Sequence, residues 1–169
     1  IERICWQPGK YNIFAQADGE EAFKVGGINV DPPPLPPLVA ADNDGGGGCL
    51  AIGDTGPGGG IVFSISNGGC NGLESSAANQ TSANWDNAKI NAATFMGGGF
   101  SDWFLPSKDE LNQMYTQLHL NGKGGFVTNY YWSSTEVGPN NAWGQGFHNG
   151  NQGIGGKADV IRVRAVRAF

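Results

Sequence analysis

The chain has 169 residues and a formal net charge of −5. That balance excludes general nucleic-acid binding, which needs a basic face to neutralise phosphates. Hydrophobic residues make up 39%, enough for one packed domain plus an appendage, while charged residues reach only 15% against the usual share of about 25%. The 29 glycines point the same way. Glycine costs backbone entropy in helices and strands, so strand, turn and long loop should dominate over helix.

Residues 1–30 hold short mixed stretches, Ile4-Cys5-Trp6 and Tyr11-Asn12-Ile13-Phe14, which predict two or three strands. Asp31-Pro32-Pro33-Pro34-Leu35-Pro36-Pro37-Leu38 follows, and its five prolines favour polyproline II and forbid helix or central strand. A stiff linker is favoured over a docking motif for a proline-binding domain, although the PxxP spacing is present. Gly45 to Gly48 give a flexible joint. The predicted division is an N-terminal appendage and Pro-rich linker over 1–45 and a folded domain over 46–169. The three cysteines, Cys5, Cys49 and Cys70, lack C-x-x-C spacing, so zinc and redox readings are weak. Cys49 and Cys70 could be bonded with Cys5 left over, or all three could be buried thiols. No apolar run is long enough for a membrane span, so no membrane insertion is expected. The chain starts at Ile1, and the lack of a visible signal peptide therefore carries no information about export.

Beyond Cys49 the pattern tightens. Ile61-Val62-Phe63-Ser64-Ile65 reads as a strand. Trp85, Ala88, Ala92, Phe95 and Met96 recur at helical spacing and predict a helix over 84–96. Ser107-Lys108-Asp109-Glu110 is a capping box that opens a second helix. Leu111, Met114, Tyr115 and Leu118 form its apolar face, and Gly122 marks its end. Tyr130 to Thr135 is the next strand. Residues 142–148 alternate, with Trp143, Gln145 and Phe147 on one side and Gly144, Gly146 and His148 on the other. Asn149-Gly150 fits a two-residue type I′ hairpin turn, with a return strand over about 151–157. A final strand is expected from Val160 to Ala168, with Ile161, Val163 and Ala165 inward and Arg162 and Arg164 outward.

No catalytic motif is complete in the sequence. Asp54-Thr55-Gly56 matches the aspartic-protease tripeptide, but that chemistry needs two carboxylates sharing a proton. The glycines that follow favour a turn entering the Ile61 strand. Gly53 to Gly60 lacks the Lys and Ser/Thr of a P-loop. His119 and His148 are the sole candidate bases, and neither has a motif around it. His119 is expected at the C-terminal end of the second helix. For calcium, Asp42-Asn43-Asp44-Gly45 lacks the closing Glu of an EF-hand loop. Trp85-Asp86-Asn87 and Gly138-Pro139-Asn140 both depart from the lectin calcium motifs. No metal and no cofactor are expected. Asn79-Gln80-Thr81 is a glycosylation sequon, a triplet common by chance. The arginines at 162, 164 and 167 suit a structural role better than a phosphate site.

Four stretches carry a family likeness. Ile52-Gly53-Asp54-Thr55-Gly56-Pro57-Gly58-Gly59-Gly60-Ile61-Val62-Phe63 resembles the opening strand of the Lcl C-terminal domain family. Ser101 through Asn112 resembles its central motif. Tyr131-Trp132-Ser133-Ser134-Thr135-Glu136 and the ending Arg162 to Phe169 are similar as well. The order is right over 49–169, and 1–45 are not covered. The resemblance implies an α+β, C-type-lectin-like fold with mixed twisted sheets, two helices and long Gly-rich loops. Several members of that family resemble variable proteins of diversity-generating retroelements, including archaeal-virus and phage examples. There a reverse transcriptase copies a template, mutates its adenines and replaces the end of the target gene. The product binds ligands through a randomised surface on a fixed scaffold.

The codon logic can be checked on this chain. Asn codons mutated at adenine can encode Gly, His, Ile, Ala, Asp and Val, but not Trp, Gln, Glu, Lys or Met. Gly144, Gly146, His148, Asn149, Asn151, Gly153, Ile154, Gly155, Gly156, Ala158, Asp159, Val160 and Ile161 all fall in the permitted set. Between them stand Trp143, Gln145, Phe147, Gly150, Gln152 and Lys157. Gln and Lys codons also contain adenine, so the persistence of Gln152 and Lys157 asks for a reason. Those thirteen positions are the expected ligand-binding, variable set. The expected function is recognition of a protein or cell-surface ligand, on a virus particle or cell surface, without catalysis. A fixed structural or adhesive member of the family is the alternative. An enzyme of the formylglycine-generating type, which shares the general fold, is disfavoured because residues beyond 70 contain no cysteine.

Overall fold

A computed structural model describes residues 49–169. The N-terminal strands, the Pro-rich linker, the boundary near residue 46 and Cys5 lie outside the described residues. The remainder is mixed α+β, with eight strands in two sheets and two helices.

The Gly-rich stretch at Asp54 turns tightly, as expected. Gly56 N donates to Gly60 O and Val62 N to Asp54 O, which feeds the chain into β1 (Ile61–Ser66). β1 pairs antiparallel with β2 (Asn71–Ser75). The turn between them uses left-handed residues, Asn67 among them at φ 48°. Cys49 and Cys70 meet beside it, their Sγ atoms 3.1 Å apart. β3 (Gln80–Ala83) leads into α1 (Trp85–Ala93), whose Asn84 side chain accepts from Asn87 N as the N-cap. α1 buries Trp85, Ala88 and Ala92. Its expected extension to Met96 is absent: the helix is capped at Thr94, and Met96 is exposed and non-helical ahead of Gly97 to Gly99.

α2 (Lys108–Gln113) starts on the capping box. Ser107 Oγ accepts from Glu110 N at 3.3 Å, and Ser107 N donates to Glu110 Oε2 at 2.7 Å. The helix widens into one π-helical turn over Met114–Leu118, then tightens and stops at Gly122 in the left-handed region. Leu111, Met114 and Leu118 are fully buried, and Tyr115 packs partly buried beside them. His119 follows at the helix end as expected, and its ring sits among Tyr115, Phe126 and Phe147.

The larger sheet has the order β3-β7-β4-β5-β6, with β4 (Tyr130–Gly138), β5 (Asn141–Gly146), β6 (Gln152–Gly156) and β7 (Ile161–Val163). All its pairings are antiparallel except β4 with β7, so the sheet is mixed. The smaller sheet is β1-β2-β8, with β8 at Val166–Ala168. Adjacent β4 residues serve two cores. Trp132 packs with Trp85, Trp103 and Val163, and Tyr131 packs with Phe63, Leu111 and Phe147. Trp132 Nε1 donates to Ala83 O, and Trp85 Nε1 to Ser133 O, so both buried indoles are satisfied.

The ending differs from expectation. The single strand from Val160 to Ala168 is two strands, β7 and β8, in different sheets. Arg164 between them is buried rather than outward. It donates to Ser76 O at 2.6 Å and lies over the Phe126 ring at 4.2 Å. Burial pushes its pKa down, and the neighbouring Tyr131 pulls it part of the way back. Arg167 is also buried, against Glu74 and Asp102. The two arginines are structural, as their clustering suggested. The polar partners Ser76, Asp102 and Glu74 lie 65 to 93 residues away in sequence, which is why alternation alone misplaced Arg164.

Candidate functional site

The stretch 140–161 forms β5, β6 and the two loops that follow them. Its residues separate into those held by the scaffold and those turned to solvent. The held ones come first. Gln145 is fully buried, and its Nε2 donates to Asn112 Oδ1 at 3.0 Å and Gly150 O at 3.1 Å. Gln152 Nε2 donates to Lys108 O at 2.8 Å. Phe147 is buried against Tyr131, Phe126 and Tyr115. Trp143 is half-buried beneath the Lys108 ammonium, 3.6 Å from its ring centroid. Lys157 pairs with Glu136 and reaches over the Trp85 ring, while its backbone receives Trp85 N and donates to Asn140 O. Gly150 stands at φ 77° with Tyr115 2.6 Å from where a Cβ would be. Each of the six intervening residues therefore has a structural reason to stay, Gln152 and Lys157 included.

Of the thirteen candidate positions, His148, Asn149, Asn151, Gly153, Ile154, Ala158, Asp159 and Val160 are exposed. Gly155, Gly156 and Ile161 are intermediate, and Ile161 packs against the Trp132 core. Gly144 and Gly146 are buried, which corrects the expectation that they open to solvent. The alternation was right and the exposure was not. β5 is paired on both sides, so its glycines sit at the floor of a face whose neighbours stand above them. A Cβ on Gly144 would lie 2.9 Å from Tyr131 O, a backbone atom that cannot swing away. On Gly146 it would meet two exposed side chains, the His148 ring at 2.7 Å and Asn149 Oδ1 at 2.9 Å.

The hairpin also differs from the two-residue type I′ turn. β5 ends at Gly146 and β6 begins at Gln152, with Gly146 N donating to Asn151 O. Asn149 does not adopt positive φ, so only Gly150 is left-handed. Phe147 causes this, because sinking its ring into the core pulls the chain out of the ladder before Asn149-Gly150. The loop then presents His148 and Asn149. The His148 ring meets exposed Tyr130 edge-on at 5.1 Å, and Asn149 Oδ1 accepts from Asn151 N at 3.0 Å. Tyr131, its neighbour on β4, is fully buried with its hydroxyl accepting from Val127 N. The following loop is pinned by Asp159 Oδ2, which accepts from Gly156 N at 3.0 Å. Nothing in sequence ties the supports Lys108 and Tyr115 to a hairpin some 35 residues later.

Among the described residues, no group of three or more His, Cys, Asp and Glu side chains is placed to hold a metal. No helix among them is long and apolar enough to cross a membrane. In comparisons with known proteins, the model of the Lcl C-terminal domain matches residues 66–167. No curated protein matches the chain.

Proposed function

The chain belongs to the Lcl C-terminal domain family, and on that footing we propose that it is a ligand-binding protein whose C-terminal surface is diversified by a retroelement. The single observation that carries this is the partition of 140–161. Residues that adenine mutagenesis of Asn codons cannot yield, Trp143, Gln145, Gln152 and Lys157, all brace the scaffold. Most residues it can yield are exposed. A surface randomised at those positions would leave the cores untouched, which is what a reusable binding scaffold requires.

On this reading the fold is C-type-lectin-like, the protein performs no catalysis, and it is displayed on a virus particle or cell surface to recognise a protein or cell-surface ligand. Contact falls to His148, Asn149, Asn151, Ile154 and Asp159, with Tyr130 beside them. The deciding test is genomic. A reverse transcriptase gene should lie nearby, with a near-copy of the codons for about 130–169, and sequenced populations should differ at the adenines of that copy. Identical sequences across a population, with no template copy, would leave a fixed adhesive protein of the same family instead.

A further inference from the structure

We propose that β6 is an open sheet edge that captures an extended segment of the protein partner by main-chain pairing. The inference rests on the ligand-binding reading of 140–161 and adds the mode of contact and the kind of partner.

The parity of β6 follows from two bonds. Gly146 N donates to Asn151 O, and Lys157 N donates to Asn140 O. The β5–β6 register runs between them without a shift. Odd-numbered residues of β6 thus direct their N–H and C=O groups toward β5. Even-numbered Gln152, Ile154 and Gly156 direct theirs away from it. Among the described residues, β6 is the last strand of its sheet. At the far end of this row Gly156 N is taken by Asp159, which leaves the groups of Gln152 and Ile154 facing outward.

Each of the other sheet edges carries bonds to a neighbouring segment or side chain among the described residues. The outer side of β1 is bonded by Gly53 and Asp54 and bridged by Thr55. The outer side of β8 exchanges two bonds with Phe104, from Phe104 N to Val166 O and from Val166 N to Phe104 O. At β3, Thr81 O accepts from Asn91 Nδ2. Proteins blunt open edges with charge, proline, bulges or a covering segment. β6, Gln-Gly-Ile-Gly-Gly, carries no charge, no proline and no bulge.

The alternating donors and acceptors of such an edge match another extended backbone. Side chains then select among partners. Gly153 lies on the same face as Trp132 and has open space where its Cβ would be. Gly155 lies on that face too, with the Trp132 ring 3.0 Å from its Cβ position. A large aromatic residue opposite a strand glycine lies over the bare backbone and makes good the missing contact. The other face offers exposed Ile154 beside Trp143. The fitting partner is a strand with aromatic residues on alternate positions. It is neutral or basic, given Asp159 at one end and a net charge of −5. A second copy of this chain fits worse. Two antiparallel β6 strands centred on Ile154 would pair Ile154 with Ile154 but set Gly153 against Gly155 and Gln152 against Gly156, so a single side-chain pair would hold them.

The probe is a capped nine-residue peptide of alternating tyrosine and threonine ending in lysine, titrated into the whole chain. Amide hydrogen exchange should slow about tenfold or more at Gln152 and Ile154, with little change at Gly153 and Gly155, which already bond to β5. The same peptide N-methylated at alternate residues should not bind. Ile154→Pro removes an outward donor, as edge strands tolerate, and should weaken binding about tenfold or more at an unchanged thermal midpoint, while Ile154→Ala weakens it less. If Ile154→Pro lowers the midpoint, the methylated peptide decides alone. Equal binding of the methylated peptide, or no binding of the parent peptide at millimolar concentration, overturns the proposal. So does self-association in sedimentation that Ile154→Pro abolishes, which would assign the edge to a second copy. Edge pairing without population diversity would leave this inference standing and the retroelement reading fallen. A diversified surface with unprotected Gln152 and Ile154 would do the reverse.

Discussion

The Arg167 guanidinium donates to Glu74 Oε1 at 3.0 Å, and Glu74 in turn accepts from Gly58 N at 2.8 Å and Gly60 N at 2.9 Å. One carboxylate with no solvent exposure thereby joins β8 to the Gly-rich turn that feeds β1. Removing one partner of a buried pair strands the other charge. Arg167→Ala or Glu74→Ala should cost about 3–5 kcal/mol in urea unfolding. Asp102, the other partner of Arg167, is well exposed, so Asp102→Ala should cost about 1 kcal/mol or less. Equal losses at Glu74 and Asp102 would show that the pair is not insulated from water.

The tryptophans should rank by burial. Trp132 is fully buried and its Nε1 is bonded to Ala83 O, so Trp132→Ala should cost about 3–5 kcal/mol. Trp143 is half-buried under Lys108, and its truncation should cost clearly less. A Trp143→Ala midpoint as low as that of Trp132→Ala would mean that the β5 face is packed more deeply than described.

Tolerance should divide the glycines of β5. Gly144→Val must push against Tyr131 O and should destabilise by about 1–3 kcal/mol. Gly146→Val displaces the exposed side chains of His148 and Asn149 rather than backbone and should cost less. Randomising His148, Asn149, Asn151, Gly153, Ala158 and Val160 should leave stability within about 0.5 kcal/mol per site. A display library sorted for folding measures all of these at once, and depletion at the exposed sites to the level of Gly144 would argue against a separable surface.

Much of this was legible in sequence because it is local. The capping box at Ser107, the apolar face of α2 and the β5 alternation each depend on residues a few positions apart. What was misread depends on distant partners. Asn149-Gly150 is a strong hairpin signal, yet burial of Phe147 against Tyr131 and Phe126 overruled it. Arg164 looked like an outward arginine in an alternating strand, and Ser76 O and the Phe126 ring draw it inside. Gly144 was correctly placed on its strand, but its burial depends on Tyr131 and Ile161.

Gly150 tests the hairpin directly. It stands at φ 77° against the Tyr115 ring, so Gly150→Ala combines a left-handed strain with a clash. The expected loss is about 1–3 kcal/mol, read by thermal unfolding, and the Gln145 bond to Gly150 O should loosen with it. A neutral Gly150→Ala would mean that the loop adopts another conformation in solution.

The tail that bolts both sheets together has a consequence for heredity. If the end of this gene is rewritten by adenine-directed errors, Arg164, Ala165, Val166 and Arg167 lie inside or against the rewritten stretch, yet losing them would undo the fold. Arginine, valine, alanine and phenylalanine all have spellings without adenine, and Arg162 to Phe169 consists of nothing else. Such a tail can be copied by an error-prone enzyme generation after generation and come through unchanged. The gene should therefore spell its last arginines with CG-type codons, never AGA or AGG, so that the anchor is protected by its script as well as by its packing.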